Sequence, residues 1–325
     1  MHSRRTFLKL AATSGIVSAL SVPAWAQSFP SKPVKIILGL APGASTDVGT
    51  RLLAQGLAEV TGQSFIVENR TGAGSTIAAA AVAASPADGY TLFMGTGSYA
   101  TSAVLYHSLR FDPVKSFQPI TQLNQFPSAI AVDAKSDIHT LQNLIDRAKA
   151  SPGSIAYAST GYGGQTHFAG EYFQMLTGTK LLHVPYKGGG PALQDVIAGR
   201  VPVIFVDLFT LMPQVKTGNL RVLAVTGARR AEIAPSVPTA IEQGVKLEIT
   251  AWLGLFAPAG TPNRIIESLH SSVVTVARRD DFIRRMAESG AEVVASSPSQ
   301  FAEFFQREIA LYKKVAAAAN IRLES

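Results

Sequence analysis

Apolar, strand-like runs recur along this chain, each ending in a loop of small residues that passes into a helical pattern. "VKIIL" (34–38) leads through "GLAPGASTD" to Val48, Leu52, Leu53, Leu57 and Val60 at helical spacing, closed by Gly62. "SFIVEN" (64–69) leads into a Gly/Ala-rich segment, 72–84, that predicts a second helix, and "DGYTLFMG" (88–95) reads as a third strand. Strand, helix and strand in alternation imply a parallel sheet with helices on its faces. The pattern then restarts. Strands are expected at 129–133, 154–160, 181–186, 201–207 and 220–226, and helices at 140–150, 166–176 and 190–198. The C-terminal part holds "AWLGLFAPAGTP" (251–262) and two amphipathic helices. The last, over 299–319, puts Phe301, Phe304, Phe305, Ile309, Tyr312 and Val315 largely on one side.

Two α/β units follow. With 325 residues and 47% hydrophobic content, the chain can bury a core in each. No Pro/Ser-rich linker separates the units, so the chain is expected to leave the first near 124–128 and return near 250–253. That gives a discontinuous first domain, 27–126 with 252–325, and a second domain, 127–251.

The N-terminus is expected to be a leader. "SRRTFLK" is a twin-arginine pattern, 10–22 is apolar, and "AWA" (24–26) fits a small-x-small cleavage site. Residues 1–26 then form a signal peptide, and the mature protein is periplasmic. The formal charge is +7, with Arg4, Arg5 and Lys9 inside that leader. The remaining basic residues are dispersed, without a stripe of interleaved aromatics, so nucleic acid is not an expected partner. There is no cysteine, which removes disulfides, thiolate metal sites and Cys nucleophiles together.

The small-residue loops are the candidates for chemistry. In an open parallel sheet, ligands bind beyond the carboxyl ends of the strands. Gly43, Ala44, Ser45, Thr46 and Asp47 sit at such an end, just where a helix begins. The first N–H groups of a helix lack intrahelical partners, and the dipole makes that end positive, which suits a carboxylate or phosphate. An ordinary turn with a Ser/Thr/Asp cap fits the same residues. "ASTGYGGQTH" (158–167) repeats the arrangement in the other unit, with Ser159, Thr160, Gly161 and His167. Two such lips would hold the two ends of a small polar anion. Loops 70–76, 95–100 and 186–192 occupy similar places; the last offers Lys187 as a charge partner, though helix initiation at Pro191 explains it equally well. For His167, capping or packing is the alternative. Asp47 and Asp207 fit a paired-carboxylate site, with complementing a helix dipole as the alternative, and Asp207 ends a buried-looking strand where it is placed to meet a ligand donor.

Other chemistry is poorly supported. "GTGSYA" matches G-x-G-x-x-A, but without the following strand and acid that a dinucleotide fold needs. No G-x-S-x-G elbow or H-E-x-x-H is present, and His107, His139, His167 and His183 lack metal-ligand spacing. No cofactor and no metal are expected.

Seven stretches in order give a resemblance to a known family. They are "FPSKPVKIILGLAPGASTD", "IVENRTGAGSTIAAAAVAASPADGYTL", "ASTGYGGQTHFAGEYF", "HVPYKGGGPALQDVIAGRVPVIF", "LAVTGARR", "VPTAIEQG" and "WLGLFAPAGTP". The chain resembles the extracytoplasmic receptors of tripartite tricarboxylate transporters, the Bug or TctC-like family. The resemblance implies a two-domain periplasmic binding protein fold (type II-like), with two interdomain crossovers and a ligand cleft between the domains. It implies no enzymatic activity, a small carboxylate ligand (organic, amino or aromatic acid), a cognate membrane permease and a monomer. By motif it adds Ala73, Gly74 and Gly188 to the ligand-binding residues named above. Three departures touch the cleft: Ala44 stands where the family usually has glycine, Gly39 and Leu40 where an aromatic often precedes the loop, and Ser75 where the second loop often ends in glycine. An exported hydrolase or oxidoreductase, or a sensor presenting its ligand to a membrane kinase, are the competing readings.

Overall fold

The computed structural model describes residues 29–322, except Ala44, His107 and the side chain of Ser45. The expected leader, 1–26, lies outside the described residues.

Strand β1 (Val34–Leu38) is buried almost throughout and leads into helix α1 (Ser45–Thr61). Strand β2 (Phe65–Asn69) follows, then a 3-10 turn (Ala73–Ser75) and α2 (Thr76–Ala83). Next come β3 (Thr91–Thr96), α3 (Gly97–Leu105) and β4 (Phe117–Phe126). The second unit contains β5 (Ser128–Asp133), α4 (Leu141–Ala150), β6 (Ala156–Ser159), α5 (Gln165–Thr177), β7 (Leu182–Pro185) and α6 (Gly189–Ile197). It continues with β8 (Val203–Asp207), α7 (Leu208–Lys216) and β9 (Leu220–Val225). The chain returns through β10 (Ala251–Pro258), α8 (Asn263–Ala277), α9 (Asp280–Glu288), β11 (Glu292–Val293) and α10 (Pro298–Ala318).

The first sheet has the order β2-β1-β3-β10-β4-β11 and the second β7-β6-β8-β5-β9. From β2 to β4 and from β7 to β9 the two sheets repeat one plan. In each, three parallel strands are followed by the strand through which the chain arrives from the other unit. Those two arrivals, β5 and β10, run antiparallel to both neighbours. The alternating pattern alone suggested parallel pairing; a strand entering from the opposite unit reverses direction. One continuous buried cluster includes Phe93 and Trp252 from the first sheet and Tyr157 and Phe205 from the second, with Phe305 and Tyr312 of α10 between them. Separate clusters cover the outer faces, under α1 and α8 on one side and α6 and α7 on the other.

Several elements escape the periodicity. Strand β4 is rich in polar residues, yet Thr121, Gln122 and Asn124 are buried under the C-terminal segment: Thr121 Oγ1 donates to the Ser296 carbonyl (2.8 Å), and Asn124 meets the Met286 sulfur. Helices α3 and α7 are short, and "GTGSYATSAVL" carries no charge to mark a solvent face. The C-terminal part has three helices rather than two.

Candidate functional site

The carboxyl ends of β1, β2 and β3 carry one lip, and those of β6, β7 and β8 the other. In the first lip the Gly43 N–H donates to Asp47 Oδ2 at 3.0 Å. Asp47 is 2% exposed and also accepts from Arg51 Nε and Asn69 Nδ2, each at 2.9 Å. Asn69 donates as well to the Leu40 carbonyl (2.9 Å) and accepts from Arg51 (2.8 Å). Burial acts to raise the Asp47 pKa, but the hydrogen bonds from Arg51, Gly43 and Asn69 outweigh it and hold it below the ordinary value. The carboxylate therefore clamps loop, helix and second strand together through three donors. Thr46 is half-buried, and its Oγ1 is enclosed without a partner among the described residues.

The second loop of this lip turns through three consecutive left-handed residues, Ala73 (φ 44°), Gly74 (φ 58°) and Ser75 (φ 74°). Such a conformation is costly for the two residues that carry a Cβ. Ala73 and Gly74 are exposed, whereas Ser75 is buried and its Oγ has no partner. Ser75 lies so close to Gly39 that a Cβ built there would come within 2.2 Å of the serine Cβ. Two departures from the family pattern, Gly39 and Ser75, are thus one substitution in space. The serine occupies room that any larger residue at 39 would need. Sequence separation hid this pair; no signal within either loop announces it.

The second lip is cross-braced. Ser159 Oγ lies 2.7 Å from His183 Nε2 and donates to the Gly161 carbonyl (3.2 Å). The Thr160 N–H donates to Thr166 Oγ1 (2.9 Å), and the two hydroxyls lie 2.8 Å apart. The Gly188 N–H donates to the Thr160 carbonyl (3.1 Å), which joins the loop after β7 to the loop after β6. Lys187 is exposed and forms no ion pair with a described residue.

His167 sits beneath this lip rather than on its surface. It is 3% exposed, and its Nδ1 accepts from the Gly163 N–H at 3.1 Å. Its ring stacks on His183 at 3.7 Å with an 8° tilt. Burial, and then the neighbouring His183, push its pKa down to about 3; burial pushes His183 down to about 4. Both rings are neutral supports. The exposed Tyr162 covers His167 from outside at 4.9 Å. Asp207 stands in register with Ser128, whose Oγ donates to it at a long 3.4 Å. It is half-buried by surface area, yet its carboxyl lies deep enough that burial pushes its pKa up to about 6.

Helices α5, α6 and α7 begin at Gln165, Gly189 and Leu208, and their N-cap residues Gly164, Gly188 and Asp207 make no side-chain cap, whereas α3 after β3 is capped by Thr96. Away from the lips, α4 and α10 are capped by Thr140 and Ser297. Helices α8 and α9 are uncapped too, so missing caps alone do not mark the site. Among the described residues no cluster of three metal-ligating side chains occurs, and no helix is long and apolar enough to cross a membrane.

Two α/β units joined by two crossovers, with loops at the carboxyl ends of their parallel strands, have the architecture of a periplasmic binding protein. The profile of the tripartite tricarboxylate transporter family receptor matches residues 50–321. BugT of Bordetella pertussis is 33% identical over 316 residues, covering 96% of each chain. A Rhodopseudomonas palustris structure, Rpa4515 with adipate, is 34% identical with a TM-score of 0.75, covering 90% of this chain and 99% of that one. MatC from the same organism, with bound malate, is 29% identical with a TM-score of 0.72, covering 88% and 99%. This chain belongs to the TctC/Bug family of tripartite tricarboxylate transporter receptors. Members are periplasmic solute-binding receptors, not enzymes.

Proposed function

We propose that this receptor captures a small carboxylate-bearing compound between two lobes, 27–126 with 252–325 and 127–251, and delivers it to a tripartite tricarboxylate-type permease. In this reading residues 1–26 direct export by the twin-arginine route, and the mature receptor works as a monomer. The observation that carries the ligand assignment is the pair of enclosed, unpartnered hydroxyls, Thr46 Oγ1 and Ser75 Oγ, in the first lip. A buried hydroxyl without a partner costs about 1–3 kcal/mol, and a ligand oxygen would remove that cost. Across the cleft, the uncapped starts of α5 and α6 offer N–H groups and positive helix ends to a second carboxylate. Ser45, Thr46, Ala73, Gly74, Thr160, Gly161 and Gly188 are the contact residues of this reading; Asp47, Ser159 and His167 position them. The adipate and malate held by the two solved relatives are of this ligand class.

A second reading concerns ligand type. Asp207 is an acceptor at the edge of the second lip, and it favours a ligand that also carries a hydroxyl or ammonium donor. A thermal-shift screen of adipate, malate, amino acids and aromatic acids separates these. A bound compound raises the melting temperature with concentration. No shift with any carboxylate would end the proposal, and a shift confined to amino acids would favour the Asp207 reading.

A further inference from the structure

At the foot of the second lip, one side chain bridges the return crossover and the first unit. Gln165 is the first residue of α5, directly after the loop 160–164. Its Nε2 donates to the Thr250 carbonyl at 2.5 Å and to Tyr312 Oη at 3.2 Å. Thr250 is the last residue of the return crossover before β10, and Tyr312 lies on α10. Tyr312 passes its own proton toward Glu308 Oε2 (2.5 Å), which also accepts from Trp252 Nε1 (3.2 Å). The third wall is Gly97, the first residue of α3: a Cβ there would come within 2.3 Å of Gln165 Oε1.

We infer that Gln165 is a positioning residue for capture: its amide pins the second lip to the return crossover and thereby sets the balance between closed and open lobes. The inference rests on ligand capture between two lobes, but not on which ligand is taken.

The fit is specific to a primary amide. One nitrogen carries two N–H donors, and the socket offers two acceptors, Thr250 O and the Tyr312 oxygen. Because Tyr312 donates to Glu308, its lone pairs remain for Gln165. A carboxylate at position 165 would meet oxygen on both sides; an aliphatic side chain would leave the Thr250 carbonyl without this donor. The same face of α5 continues onto α10 through Phe168, edge-on to Tyr312 at 5.1 Å. The helix that presents the lip is therefore docked on the other lobe at its first turn. Opening the lobes withdraws the amide, and water replaces its partners at a small net loss per bond. A loss of that size changes a two-state ratio about fivefold.

The chain has no cysteine, so two introduced labels report alone. Lys149→Cys on α4 and Glu267→Cys on α8 are exposed positions, one in each lobe. The distance distribution between spin labels is measured on the unliganded protein. Gln165→Ala is expected to lower the ratio of the shorter to the longer distance about fivefold, with the melting temperature little changed. Tyr312→Phe should move it the same way by less, and Gly97→Ala, which blocks the socket, in the same direction as Gln165→Ala. Unchanged distances in Gln165→Ala would overturn the inference. So would a lowered melting temperature with unchanged distances, the outcome of a purely structural contact. Because no ligand is added, failure of the carboxylate reading would appear separately, in the thermal-shift screen.

Discussion

The two lips use similar residues in opposite ways. In the second, Thr160 and Thr166 bond each other, Ser159 bonds His183, and the Gly188 amide is spent on Thr160. In the first, Thr46 and Ser75 enclose hydroxyls with no partner, and Ala73 and Ser75 hold left-handed backbone. One lip is internally satisfied and presents its helix ends. The other carries unmet hydrogen bonds and local strain, which persist only where the surroundings enforce them. Hydroxyl-rich loops that look equivalent in sequence therefore divide the work, with the second lip as a stiff support and the first as the demanding surface.

The sharpest break in this comparison is a double variant of the first lip, Thr46→Val with Ser75→Ala. Affinity for the compound found by thermal shift should fall at least about tenfold, roughly 1.4 kcal/mol. Stability of the unliganded protein should hold or rise, because an unpartnered buried hydroxyl is replaced by an apolar group. Calorimetry and urea unfolding read the two effects; affinity unchanged would remove these hydroxyls from the site.

The matching change in the second lip should behave differently. Thr166→Val removes the acceptor of the Thr160 N–H, so stability should fall by about 1–3 kcal/mol and affinity should fall with it. A urea midpoint equal to the parent's would show that the brace is not needed.

Acid should also separate the lips. His167 and His183 titrate near 6.5 when unfolded but near 3 and 4 when folded. The unfolded chain thus binds more protons in that interval. The stability these neutral rings provide is full above about pH 6.5 and is lost as pH falls toward 4. Asp207 has the opposite slope, since the folded carboxyl holds its proton up to about 6; its contribution falls as pH rises from about 4 to 6. As pH falls to 5, the amide protection factor, the exchange rate relative to the intrinsic rate at that pH, should drop at Gly163, which bonds His167, before Gly43, which bonds the low-pKa Asp47. An equal drop at both would contradict the comparison.

The smallest effect is expected at Arg51. Its side chain is half exposed, and Asp47 keeps Gly43 and Asn69 without it. Arg51→Ala should cost less than about 1 kcal/mol by urea unfolding, and a larger loss would make the guanidinium the centre of the clamp.

The fold was legible where burial and periodicity agree. Strands β1, β6 and β8 are apolar runs, and α10 shows its aromatic stripe. Strand β4 was not legible, because its polar side chains are buried by neighbours remote in sequence. In the site, the loops were visible as clusters of small residues. What each residue does inside them was not. His167, which fitted a contact or a packing role, is a buried prop; Asp47, which fitted a contact or a complement to the helix dipole, clamps its own lip through three hydrogen bonds. Gln165 was visible as one of the polar residues of its loop, but its role was not, because its partners, Thr250 and Tyr312, lie 85 and 147 residues away.

The place of β10 between β3 and β4 has a consequence for synthesis. When the ribosome has made residue 126, the first sheet still lacks a strand in its middle. The second unit runs without interruption from β5 to β9, so its sheet has every strand before β10 emerges. The unit translated first is therefore completed last, and the nascent chain must keep β3 and β4 unpaired with each other until more than a hundred further residues have been added.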